Sequence, residues 1–327
     1  MKLEPRVSVI TPFYNTAEYI AECIESVLAQ RYTNFEYILV NNKSTDGSRE
    51  IAERYAKQDS RIRLFDNAEF VSMEENFNGA LSRIGADSKY VKMVLSDDAA
   101  FPNCLEEMVG LAEQQPTVGI VSSYYLWGKA LRGDGFDHRA TLIPGLETCR
   151  KTILNRLQYT GSQTVVMYRA DIVRARTEFF TPGRVFADTD AAMEILQEHD
   201  LGYVHQVLTF SRRDNESTLN NVLSFHPLLL HFYLTTERYG RAVLTPEEFA
   251  EASAAIRRDY YAYLGAQAVR KRGSEFWAYH RRGLATVGQD LPWSSILPEA
   301  LTEVGRLALN PQSTAERTLA WLSGHLR

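Results

Sequence analysis

Cysteine is scarce in this chain. The three present, Cys23, Cys104 and Cys149, fall in helix-like segments without metal-ligand spacing. That excludes a disulfide scaffold and a thiolate metal site, and the three read as small buried hydrophobes of a reducing compartment. Long apolar runs are missing too: "PLLLHFYL" (227–234) is far short of the ~18 residues that cross a bilayer. The opening "MKLEPRVSVI" passes straight into a strand-like run and is read as lacking a signal peptide, so the expectation is a cytoplasmic protein. Positive charge is not in excess; the formal net charge is −5, which argues against a nucleic-acid partner held by overall charge. Finally, the turn after the first strand, "TPFYNT" (11–16), has no glycine. Both GxGxxG and the P-loop GxxxxGK[ST] are therefore excluded there.

What is present is ample for a packed core: 327 residues, 45% hydrophobic and 24% charged. From Val7 to about Phe210, apolar strand-like runs alternate with helical stripes. "VSVITPF", "FEYILV" (35–40), "IRLF" (62–65), "YVKMVL" (90–95), "VGIVSS" (118–123), "TVVMY" (164–168) and "GYVHQVLTF" (202–210) are the strands. Helices are expected over 17–30, with Asn15 and Glu18 spaced as a capping box, and over 47–56, 75–86, 102–115, 147–157 and 187–199. This alternation implies βαβ crossovers, hence an α/β fold with a mostly parallel, Rossmann-like sheet flanked by helices. Residues 124–146 lack periodicity and read as a loop over the site. Beyond about residue 220 the pattern turns helical only, over 247–282 and 299–323, which divides the chain into an α/β domain (1–219) and a C-terminal helical region (220–327).

In a sheet of this kind ligands sit at the carboxyl ends of the strands. There "KMVLSDDAAFP" (92–102) brings Asp97 and Asp98 out of a buried run. Two adjacent carboxylates repel and lose hydration, so they belong either to a solvated turn with a helix cap or to a divalent cation. With no glycine-rich loop to cradle phosphates, a metal would have to take that part.

At this point the residues resemble a known family. "VSVITPFYNTAEYIAECIESVLAQRYTNFEYILVNNKSTDGSREIAERYA" (7–56) is similar to the opening of the family 2 glycosyltransferases: a strand ending in P-x-Y-N, a helix ending in S-V-L-x-Q, and a turn ending in S-T-D-G-S. "ENFNGALSRIGADSKYVKMVLSDD" (75–98) resembles the block that ends in the D-x-D metal motif, and "RVFADTDAAMEI" (184–195) the block in which an acid precedes a helix. The resemblance spans about residues 5–215. It implies the type A glycosyltransferase fold, a nucleotide-sugar donor, Mg2+ or Mn2+, and inversion at the anomeric carbon. Carried over by position, Thr11, Pro12 and Tyr14 line the nucleotide pocket, Asn42 meets the base edge and Ser96 lies beside the ribose. Asp97 holds the metal, with Asp98 beside it, and Asp188 is the catalytic base. Asn76 is either an exposed helix position or a donor contact, and Arg212 is assigned to phosphate.

Two departures from the family pattern stand out: Leu95 occupies the first Asp of D-x-D, and Asn41-Asn42 replaces an Asp pair. An amide both donates and accepts, so Asn42 is expected to pair with uracil or thymine, which makes UDP the favoured donor nucleotide. The expected acceptor is a glycan or a lipid-linked glycan of bacterial surface polysaccharide. The Q-x-x-R-W signature of processive synthases is absent, which points to transfer of one sugar. A nucleotidyltransferase or a silent nucleotide- or glycan-binding module are the alternatives. Residues 257–283, with seven Lys/Arg among aromatics, suit a solvated face, peripheral contact with anionic lipid, or a homo-oligomer contact.

Overall fold

The computed structural model describes residues 4–156, 160–184, 186–213 and 225–309. The chain forms two compact units, residues 1–220 and 221–327. In the first, four parallel strands carry the opening of the chain: β1 (Arg6–Phe13), β2 (Phe35–Asn41), β3 (Ile62–Asp66) and β4 (Ser88–Met93). Helices α1 (Ile20–Leu28), α2 (Ser48–Gln58) and α3 (Met73–Leu81) connect them. The apolar runs are buried on both faces; every residue of β2 is buried, and Ile20, Cys23, Ile24 and Val27 form the inward stripe of α1. Register brings Phe13, Asn41 and Asp66 level, so the turns after β1, β2 and β3 share one edge.

Past β4 the chain continues through β5 (Ala99–Ala100), α4 (Cys104–Gln114), β6 (Val118–Trp127), β7 (Ala130–Arg132), β8 (Leu142–Ile143) and α5 (Gly145–Asn155). Then come β9 (Met167–Arg169), α6 (Ala170–Arg174), α7 (Ala187–Leu196) and β10 (Asp200–Ser211). The sheet order is β3-β2-β1-β4-β9-β6-β10-β5. β6 and β10 are parallel, whereas the short β9 runs antiparallel to both β4 and β6.

Two expectations are corrected here. The segment 124–146 is not a loop throughout: β6 extends to Trp127 and folds back on β7, with Gly128 (φ +57°) in the left-handed backbone that such a turn asks of glycine. Asn15 and Glu18 form no capping box. Asn15 adopts a positive φ, and its Oδ1 accepts from Thr45 N at 2.8 Å, so it ties two turns together instead. Asp46 does the same, accepting from Ala17 N at 2.8 Å and Ser48 N at 3.0 Å.

The second unit consists of α8 (Pro227–Val243), α9 (Pro246–Val269), α10 (Ser274–Ala285) and α11 (Trp293–Leu309). The expected continuation of a helix to residue 323 lies outside the described residues. Thr245 and Glu248 make a reciprocal capping box with Pro246 in the first turn of α9. Tyr260 and Phe276, aromatics of the basic stretch, are core side chains packed with Leu230 and Tyr233. Arg257 and Arg281 pair with Glu237 and Asp290. Lipid contact by this stretch would thus rest on its exposed cations, such as Arg270 and Lys271, and not on Tyr260 or Phe276.

Candidate active site

The turn after β4 carries the acid pair. Leu95 N donates to Thr164 Oγ1 at 3.0 Å, and Asp98 N donates back to Leu95 O at 2.9 Å, closing a tight turn that lifts Asp97 to its crest. Asp98 points inward and is buried. Its Oδ2 accepts from Thr164 Oγ1 at 2.6 Å and Ser211 Oγ at 3.3 Å, and its Oδ1 accepts from Arg212 N at 2.9 Å. Burial, with the neighbouring charge of Asp97, pushes the Asp98 carboxyl up to about 7. The two acids therefore differ in duty: Asp97 is half-buried at the edge, whereas Asp98 is the knot that ties the β4 turn to the end of β10.

Thr164 is the partner that no sequence pattern announced. It lies 66 residues from Asp98. Lys92, wholly buried on β4, donates to the carbonyls of Thr164 and Val166 (the latter at 3.2 Å) and so props that segment. Burial draws its ammonium below the usual lysine range. Thr11 is buried as well; its hydroxyl donates to Val94 O at 2.7 Å and lies 3.0 Å from Tyr37 Oη. Its side chain thus serves the frame under the acid pair, and any ligand contact by Thr11 would come from the main chain. Pro12 shares the end of β1, and Ser96 is buried beside Asp97.

Arg212 braces the other side. Its Nε donates to Asp97 O at 3.0 Å, its Nη2 to Glu22 at 2.6 Å, and its guanidinium lies 4.7 Å from the Tyr19 ring centre. A phosphate role for Arg212 would require Glu22 to give way. At the neighbouring edge Tyr14 is 45% exposed and meets Phe70, which is 60% exposed. Asn42 and Asn76 are both buried and are joined through Asn67, whose Nδ2 donates to Asn42 Oδ1 at 3.0 Å and Asn76 Oδ1 at 2.9 Å. Asn76 is therefore not an exposed helix position. Nor is Asn42 open to a base imide, because its oxygen already accepts from Asn67 and from Val71 N.

Asp188 begins α7 after Phe186, whose positive φ turns the chain into the helix. It is half-buried, and desolvation raises its carboxyl to about 6 against the counter-pull of Thr189 N at 2.8 Å. Asp190, two residues on, is buried and faces Arg184 at 3.4 Å. Asn78 of α3 receives Phe179 N and Phe180 N and donates to Phe180 O, fastening the approach to α7.

The donor set fits a hard divalent cation. Mg2+ is commonly held by one or two carboxylates while substrate phosphates and water complete its shell. Asp97 would supply such an oxygen at the edge, with Asp98 behind it; among the described residues no cluster of three His, Cys, Asp or Glu adds to them.

The sequence pattern that defines "Glycosyl transferase family 2" matches residues 8–176, more than half of the chain and including the whole acid-pair turn. The chain belongs to glycosyl transferase family 2. It is 24% identical over 250 residues to the glycosyltransferase GlyG of Streptococcus pneumoniae, covering 65% of this chain and 81% of GlyG. With TuaG of Bacillus subtilis, a glycosyltransferase proposed for teichuronic acid biosynthesis, identity is 39% over 159 residues, 47% of this chain and 61% of TuaG. The fold matches that of Staphylococcus aureus TarS 1–349 in complex with UDP-GlcNAc (TM-score 0.64, 17% identity, 89% of this chain and 82% of that one). It also matches a Pyrobaculum calidifontis mannosyltransferase in complex with GDP-Man and Mn2+ (TM-score 0.57, 19% identity, 98% of this chain and 86% of that one). This family 2 glycosyltransferase thus carries Leu95 and Asn42 where its sequence departs from the pattern, and the structure gives the Asn42 side chain a use, bracing the segment behind Phe70.

Proposed function

We propose that this enzyme is an inverting glycosyltransferase that moves one sugar from a nucleoside diphosphate sugar to a hydroxyl of a glycan or lipid-linked acceptor. Its proposed place is the assembly of bacterial surface polysaccharide; the similar TuaG is named for a proposed part in teichuronic acid biosynthesis. Uridine diphosphate is the proposed nucleotide. The observations that carry the reading are an exposed aromatic pair, Tyr14 after β1 and Phe70 after β3, a half-buried Asp97 on the β4 turn, and a raised carboxyl at Asp188 at the start of α7. TarS, whose fold is shared, binds UDP-GlcNAc, and the exposed rings of Tyr14 and Phe70 offer a face on which a base can stack. The mannosyltransferase complex with GDP-Man makes a guanosine donor the second reading.

In the mechanism Tyr14 seats the base and Asp97 holds Mg2+ or Mn2+, with Asp98 fixing the turn. When bound, the cation supplies Lewis-acid charge to offset that of the departing diphosphate. Asp188 takes the proton of the acceptor hydroxyl as that oxygen attacks the anomeric carbon from the face opposite the leaving group. A carboxyl near 6 is ionised at neutral pH yet basic enough for the task. No described helix is long and apolar enough to cross a membrane.

Calorimetric titration with Mn2+ present tests the donor class. UDP is expected to bind about tenfold more tightly than GDP or ADP, a difference of about 1.4 kcal/mol. A tenfold preference for GDP would move the donor to the guanosine series, and binding of no nucleotide at all would end the reading.

A further inference from the structure

Phe70 and Tyr14 are large rings on the outside of the protein, yet they rest on each other, centroids 4.8 Å apart and planes tilted by 59°. Phe70 belongs to the segment between β3 and α3, and one buried side chain fastens that segment from below. The Asn42 amide meets both main-chain groups of Val71: Val71 N donates to Oδ1 at 3.1 Å, and Nδ2 donates to Val71 O at 2.9 Å. This double contact settles which end of the amide is oxygen, since the reversed amide would set N–H against N–H and oxygen against oxygen. Oδ1 also accepts from Asn67, which in turn donates to Asn76. An amide oxygen offers two lone pairs, and both are in use.

We propose that Asn42 is a positioning residue that holds Phe70 against Tyr14, and that the two rings together receive the nucleobase; this rests on the nucleotide-donor reading above. A carboxylate at position 42 could not do the same work, because it would present a second acceptor to the Val71 carbonyl. The consequence concerns specificity. No acceptor remains at Asn42 for the N3–H of uracil, and stacking does not sense that hydrogen, because every base has a π-face. Stacking on the two rings treats uracil and cytosine alike. UDP and CDP compounds are therefore both within the donor class.

Titrations of the full chain with Mn2+ and three probes, UDP, CDP and inorganic diphosphate, test this. The unaltered protein is expected to bind UDP and CDP equally, within about threefold. Phe70→Ala, a surface change that leaves the core intact, is expected to weaken both nucleotides by about tenfold while leaving inorganic diphosphate unchanged, and Phe70→Tyr to restore them. Asn42→Asp is expected to weaken UDP and CDP together. The proposal is overturned if Phe70→Ala binds UDP as well as the unaltered protein does, or if Asn42→Asp tightens UDP selectively over CDP. Should the unaltered chain bind no nucleoside diphosphate, it is the donor reading that fails; should it bind UDP while Phe70→Ala changes nothing, only the present inference fails.

Discussion

Asp188→Asn is expected to lower sugar transfer by about 10² to 10⁴-fold, the usual worth of a positioned general base, with donor binding nearly unchanged. The amide keeps the shape of the side chain and can still accept from Thr189 N, so the start of α7 should hold. What it loses is a proton-accepting oxygen. The unaltered enzyme should show the same group in its pH profile: turnover rises with pH as Asp188 loses its proton and levels off above about 6. That acid limb should vanish in the variant. Asp190→Asn should behave differently. Its carboxylate is buried against Arg184, so its loss is expected to lower the thermal midpoint while turnover stays within about tenfold. If Asp190→Asn is the dead enzyme and Asp188→Asn turns over normally, the base lies two residues further along the helix.

Asp97→Asn is the second large effect. Removing the charge at the crest of the β4 turn should weaken donor binding in Mn2+ as well as turnover, each by roughly 10²-fold, as loss of a preorganised charge commonly does. The distinguishing result is metal dependence. Titrating Mn2+ against the donor should show a strong enhancement of binding in the unaltered protein and little in Asp97→Asn. An equal enhancement in both would place the cation elsewhere. Asp98→Asn offers the contrast: its one amide oxygen can accept from Thr164 Oγ1 or from Arg212 N but not from both as the two carboxylate oxygens do, so it should act mainly through the geometry of the turn.

The opening four strands were legible because their order is local. Each apolar run is followed within a few residues by a helical stripe, and the crossover rule does the rest. The edge at which Tyr14, Asp97 and the Asn41-Asn42 turn gather follows from the same rule. The direction of β9 did not follow, because "TVVMY" reads as a strand whichever way it runs; what places it is the use of Thr164 by Asp98 and Leu95. The sequence shows what chemistry an amide at Asn42 can offer, but which of its atoms are already spent depends on Val71, 29 residues away. Phe70 carried no pattern at all in the sequence; only its contact with Tyr14 singles it out. The aromatics of 257–283 fit a surface or a core equally well as a periodicity, and packing among the C-terminal helices decides for Tyr260 and Phe276.

Stereochemistry tests the central claim most directly. Incubated with a donor whose sugar is α-linked, the enzyme should release a product whose first-formed anomer is β, whether the acceptor is a glycan hydroxyl or water, and proton NMR resolves the two anomeric signals before mutarotation mixes them. An attack assisted by Asp188 from the face opposite the diphosphate predicts the β product. An α product, formed from the start and at the same rate as nucleoside diphosphate, would contradict it.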